Sequence, residues 1–235
     1  TLQVPYVNVQ DKQWLFIKIA SPNGYTYYRL RFNEPMYFVD AHYIEKNNNT
    51  SQVSIPMVYE LANIILFLSL CSDSTFNKPI SSYTKDVEKY FIGVKNHPLI
   101  KILNKKCSAN LWTSYYGFRE NSICYNIDKN GFLKCNAPYK FVFFDESYLP
   151  GGEFGNLLYL VQDFVHSSNF IPFYESHKPY YDHLCERQKQ LLPLNQMWNW
   201  MEKEFPLKYN FYNILFSPLI DGSHSTQRYN TDSFN

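Results

Sequence analysis

Ser54-Ile55-Pro56-Met57-Val58-Tyr59-Glu60-Leu61-Ala62-Asn63-Ile64-Ile65-Leu66-Phe67-Leu68 is where the chain changes its period. Met57, Val58, Leu61, Ile64, Ile65 and Leu68 recur at helical spacing. Ser54 can cap such a helix, and Pro56 suits its first turn, where a missing N–H leaves nothing unpaired. The residues before this stretch read as strands and most of those after it as helices, which predicts an α+β fold. Glu60 and Asn63, three apart, share one face of an otherwise apolar helix. A carboxylate there must be paired, solvated or neutral. The expectation is a Glu at the wet edge of the helix.

Upstream, Val4 to Val9, Trp14 to Ala20 and Tyr25 to Phe32 are rich in β-branched and aromatic residues. Asn23-Gly24 between the last two runs is a hairpin signal, so a small N-terminal antiparallel sheet is expected. The polar run Glu45 to Ser51 reads as the loop that closes it. The expected organisation is a β-rich segment over residues 1–52 and a mainly helical region over 53–235, packed as one unit. Downstream, helices are expected over Ser82 to Phe91, Asn110 to Tyr116, Leu157 to Asn169, Tyr180 to Leu192 and Asn195 to Glu204. Asn96-His97-Pro98 and Asn130-Gly131 mark turns, with His97 a turn residue before proline. Tyr139 to Phe144 and Phe211 to Phe216 read as strands, and Gly151, Gly152 and Gly155 as part of a loop.

A net charge of +1 over 235 residues, with no Lys/Arg-rich face, gives no electrostatic footprint for nucleic acid. The longest apolar run, Leu61 to Leu70, is interrupted by Asn63 and Ser69 and falls far short of the roughly 20 residues that span a bilayer. Thr1 opens the chain without the basic and apolar regions of a signal peptide. Aromatics are abundant, at 21 Tyr, 19 Phe and 4 Trp. Filling a core is their expected use, and stacking on sugars or peptides the alternative. The five cysteines form no C-x-x-C pair, which argues against a zinc knuckle. Cys124 and Cys135 could bridge a hairpin or remain buried thiols.

The stretch Leu157 to Asn169 carries the chemistry most open to a functional reading. At about 100° per residue, Gln162, Asp163 and His166 fall in one sector, with Tyr159 and Asn169 on or near it. Leu157, Leu160, Val161 and Phe164 fall on the other side. Gln162-Asp163-x-x-His166 has the outline of the zinc helix H-E-x-x-H, in which two imidazoles one turn apart reach one ion and the Glu activates water. Only His166 matches, so a hydrogen-bonded polar stripe is expected ahead of a metal site. His177 and His183 are six apart with Glu175 near, and no two histidines stand at i and i+4 anywhere. There is no G-x-S-x-G elbow, and Gly152-Glu153-Phe154-Gly155 is not a phosphate loop.

Four stretches carry a resemblance. They are Tyr59-Glu60-Leu61-Ala62-Asn63-Ile64-Ile65, then Asn96-His97-Pro98-Leu99, then Asp163-Phe164 through Ser168-Asn169-Phe170 and Phe173-Tyr174 to His177, Tyr180 and Tyr181. The last is Phe216-Ser217-Pro218-Leu219-Ile220-Asp221-Gly222-Ser223-His224. Spanning about residues 53–230, they resemble a family of uncharacterised, often exported bacterial domains regarded as zinc metallopeptidases. The resemblance implies a metallopeptidase-like region, a periplasmic or cell-surface location, and a peptide or other small molecule as ligand. It puts the family's Glu-and-His zinc motif C-terminal to Gly222-Ser223-His224, so no complete zinc site, catalytic residue or cofactor is assigned within these residues.

Glu60 becomes a cleft candidate through the resemblance alone. His166 is the matching letter of the zinc outline, and His224, between two serines after a strand end, could face a cleft or sit on a loop. Glu60, His166 and His224 are therefore the candidate ligand-binding residues. The alternatives are an active metal-dependent hydrolase drawing ligands from His166, His177, His183 or His224, and an aromatic-rich carbohydrate- or protein-binding module.

Overall fold

The computed structural model describes residues 14–21, 24–31, 41–69, 71, 81–135, 152–204 and 209–220. The chain divides into two compact units, Thr1–Met36 and Tyr37–Asn235. The first holds strand β1 (Trp14–Ser21) paired antiparallel with β2 (Gly24–Arg31), from Ser21↔Gly24 to Trp14↔Arg31. This is the hairpin that Asn23-Gly24 predicts. The expected strands at Val4 to Val9 and Tyr139 to Phe144 lie outside the described residues, as do His224 and the tail.

The second unit begins differently from the sequence reading. Glu45 to Ser51 is not one loop: helix α1 (Ala41–Asn47) runs into strand β3 (Thr50–Ser54). The asparagine run makes the turn between them. Asn49 takes a left-handed φ of 56°, a conformation asparagine tolerates better than most residues, and the Thr50 hydroxyl donates to the Asn47 carbonyl at 2.6 Å. Strand β3 pairs in parallel with β6 (Phe211–Leu215), so a division at residue 52 would cut through a strand. A third pair, β4 (Tyr125–Ile127) with β5 (Leu133–Cys135), is the hairpin around Asn130-Gly131. Among the described residues the sheets are all two-stranded and the rest is mainly helical.

Helix α2 (Met57–Leu68) is the centre of the second unit. Every residue from Val58 to Phe67 is buried, so this helix is internal on all sides and not amphipathic at a surface. Around it pack α3 (Ser82–Tyr90), α4 (Pro98–Ala109), α5 (Leu111–Asn121), α7 (Leu158–Ser167) and α8 (Phe170–Leu191). Leu61, Ile64 and Ile65 share one core with Leu99, Leu103, Phe118, Phe164 and Phe173, so the aromatics do fill the interior. A Cys71–Cys107 disulfide ties the chain just past α2 to α4.

Two expectations about boundaries change. The glycines at 152 and 155 lie in a short helix, α6 (Gly152–Asn156), which turns Phe154 into the core. Helix α8 starts at Phe170 and not at Tyr180. Pro172 stands in its first turn, where no backbone bond is lost, and Pro179 is carried inside it. Helix α9 (Leu194–Glu204) follows, and no described helix is long and apolar enough to cross a membrane.

Candidate functional site

The outer face of α7 is where the zinc outline lies, and its polar groups are committed to the fold. Gln162 Oε1 accepts from the Leu133 amide at 2.8 Å, while its Nε2 donates to the Gly131 carbonyl at 2.6 Å and to His166 Nε2 at 2.9 Å. An amide nitrogen only donates, so His166 accepts through Nε2 and that lone pair is occupied. Gly131, at φ 82°, lets the turn lie against the His166 ring, and Phe132 meets the same ring edge-on at 5.4 Å. Gln162 and His166 thus clamp the β4–β5 hairpin to α7. The expected hydrogen-bonded stripe is what the structure has.

Asp163 serves another purpose. The His97 Nδ1 accepts from the Leu99 amide at 3.1 Å, capping α4, so the ring carries its proton on Nε2 and donates it to Asp163 Oδ2 at 2.9 Å. The imidazole is buried and lies edge-on to Phe164, while the Asp163 side chain is 64% exposed. A turn residue by sequence, His97 is a cap that fixes α4 to α7. Tyr159 (70% exposed) and Phe132 (52%) are the accessible rings of α7 and its hairpin.

Glu60 lies elsewhere. It is not at a wet edge: its relative exposure is 0%. The surrounding layer of α3, α8 and aromatic side chains closes the helix face that its spacing left open. Glu60 Oε1 accepts from the Tyr83 hydroxyl at 2.6 Å, and the Tyr83 and Tyr181 oxygens are 2.7 Å apart. Burial pushes the Glu60 carboxyl up to about 7, against smaller opposing effects of the Tyr83 and Ser217 hydroxyls. Although Ser217 lies close enough to act, Oε2 makes no hydrogen bond among the described residues. Burial and the neighbouring carboxylate also hold the hydroxyls of Tyr83, Tyr181 and Tyr174 in their neutral form, far above the ordinary phenol range. Asn63, on the same helix face, is buried and donates to the Tyr59 carbonyl at 2.8 Å.

Among the described residues Glu60 and His166 share no hydrogen-bond or ring partner: Glu60 is held by Tyr83, and His166 by Gln162 and Phe132. His177 Nδ1 lies 2.9 Å from the Phe173 carbonyl and its ring stacks on Phe173 at 4.2 Å, while His183 is exposed. Among the described residues no three His, Cys, Asp or Glu side chains gather as metal ligands. The α7 residues therefore do not fit a zinc ion: Gln162 and His166 are bound to each other and to the hairpin, and Asp163 to His97. Tyr83, Tyr181 and Ser217 were not singled out as site residues. A buried Glu in an apolar helix requires a donor, and a Tyr on an apolar helix face requires a partner for its hydroxyl; those two needs were the available signal.

No protein-family model, curated protein or solved structure matches this chain.

Proposed function

We propose that this chain forms a metallopeptidase-like domain that holds a peptide or another small ligand, with the described residues supplying scaffold and recognition. One observation carries the reading: the four family-like stretches, scattered along the sequence, are joined to one another by side chains. Glu60 of the first reaches Tyr181 of the third through Tyr83. His97 of the second holds Asp163 of the third, and Ser217 of the fourth lies against Glu60. These contacts support the reading in that the stretches contribute to one core. Tyr159, Asp163 and Phe132 offer two ring faces and an acceptor to solvent and are the surface we assign to the ligand. The Cys71–Cys107 bond favours an oxidising, exported location.

The test is a pair of measurements on the purified chain. Metal analysis after zinc incubation is expected to find no stoichiometric zinc, and a peptide array to show binding that Tyr159→Ala weakens. Stoichiometric zinc with chelator-sensitive peptidase activity would favour the hydrolase reading instead. Binding to glycans alone would favour the carbohydrate module, which the exposed rings of Phe132, Tyr159 and Trp200 support as a second reading.

A further inference from the structure

We propose that Glu60, Tyr83 and Tyr181 form a proton-controlled latch between α2, α3 and α8, closed when the Glu60 carboxyl is neutral and loosened when it ionises. This goes beyond the ligand-binding reading and does not depend on it. The geometry sets the logic. Tyr83 has one hydroxyl hydrogen and gives it to Glu60 Oε1, so the Tyr181 hydroxyl must donate to Tyr83. The chain Tyr181 to Tyr83 to Glu60 is then complete, with one donor delivered to one carboxyl oxygen.

A neutral carboxyl is nearly satisfied by that arrangement. Its own hydrogen, on Oε2, needs only an acceptor, and a hydroxyl close enough to act on the carboxyl, that of Ser217, has an oxygen that can accept. A carboxylate is not satisfied. It would be a fully buried anion that no described ion pair reaches, and the help that the Tyr83 and Ser217 hydroxyls give the charged form is smaller than the cost of burial. The groups facing it are hydroxyls: Tyr83 from α3, Tyr174, Tyr180 and Tyr181 from α8, Tyr59 on its own helix, and Ser217. One step further out, His177 lies against the Tyr83 ring at 5.4 Å, with its Nε2 3.6 Å from Asp86 Oδ2. Water to solvate the anion can enter only if α3 or α8 parts from α2.

The placement of the carboxyl's pKa near neutrality agrees with this. The sign follows from the direction of the shift. Raised from 4.5 to about 7 in the folded chain, the group favours folding below the lower value. That advantage drains away as pH climbs between the two, and the cost levels off above the upper one.

The experiment is equilibrium unfolding of the full chain between about pH 5 and about pH 8, with amide hydrogen exchange at Ser82–Tyr90 followed in parallel. The wild type is expected to show an unfolding constant that rises by roughly tenfold per pH unit up to neutrality, with faster exchange in α3. Glu60→Gln, which keeps the acceptor for Tyr83, is expected to abolish the step. Tyr83→Phe removes a donor that favours the charged form and is expected to move the step to higher pH, which keeps the proposal testable if Glu60→Gln does not fold. His177→Gln, the control for the imidazole that lies against the Tyr83 ring, is expected to keep the step. A wild type whose profile is flat, or a step that disappears with His177→Gln and survives Glu60→Gln, would overturn the proposal.

Discussion

Glu60 and Glu120 are both buried carboxylates in the second unit, yet their surroundings are opposite. Glu120 stands next to Arg119, whose Nε and Nη2 reach Glu120 Oε1 at 2.7 and 2.6 Å. Tyr115 and Tyr116 lay their rings near the guanidinium at 5.2 and 5.1 Å. Burial alone would lower the Arg119 pKa, but Tyr59, Glu120 and Tyr115 outweigh it and hold the cation charged. Among the described residues Glu60 has no ion-pair partner, and it answers burial with a carboxyl pKa pushed up to about 7. One carboxylate was made tolerable by a charge and the other by a proton. The first kind fails when its partner is removed, and the second when the solution changes.

The largest expected effect breaks the first kind. Arg119→Ala leaves Glu120 buried without its cation and is expected to cost about 3–5 kcal/mol in denaturant unfolding. A cost below about 1 kcal/mol would mean that Glu120 reaches water and that the contrast with Glu60 is false. Next comes Glu60→Gln, measured the same way at two pH values. Little change is expected near pH 5 and a gain of up to about 3 kcal/mol above neutrality, from the conversion of the shift between 4.5 and about 7. An equal effect at both pH values would make Glu60 an ordinary packing residue.

Smaller effects test whether neutral polar contacts on the surface of the same core behave as either kind. Gln162→Ala removes the bonds to Leu133 and Gly131 and is expected to cost about 1–2 kcal/mol, with hydrogen exchange rising first at the Leu133 amide. Gly131→Ala is expected to cost about 1 kcal/mol. Its φ of 82° suits glycine, and an added Cβ would stand 3.4 Å from His166 Cε1. Neither change should depend on pH in the way Glu60→Gln does.

How far the sequence can be read depends on the range of the interaction that decides each feature. The polar face of α7 is a matter of angles along one helix, and Gln162, Asp163 and His166 lie outward as their spacing demands. The hairpins at Asn23-Gly24 and Asn130-Gly131 are equally local. The start of α8 at Phe170 is not legible locally, since Pro172 and Pro179 disfavour a helix, whereas packing of Phe170, Phe173 and Tyr181 into the core carries the helix through them. Glu60 was misplaced at a wet edge for the same reason. A position on a helix wheel does not say what covers it, and Tyr83 and Tyr181 arrive from 23 and 98 residues away respectively, counting from Glu60 to Tyr83 and from Tyr83 to Tyr181. His97 capping α4 was obscured by the neighbouring proline, which reads as a turn and here stands at the first helical position.

The β3–β6 pair has a consequence for the order of folding. Thr50 and Phe211 face each other across about 160 residues of chain, and the helices of the core lie between them. Closing a loop of that length has an entropic cost that local helical contacts do not share. The helices around α2 should therefore reach the transition state before the two strands meet. Substitutions in the strands are then expected to speed unfolding while leaving the refolding rate nearly unchanged, so that this parallel pair acts as the clasp fastened last.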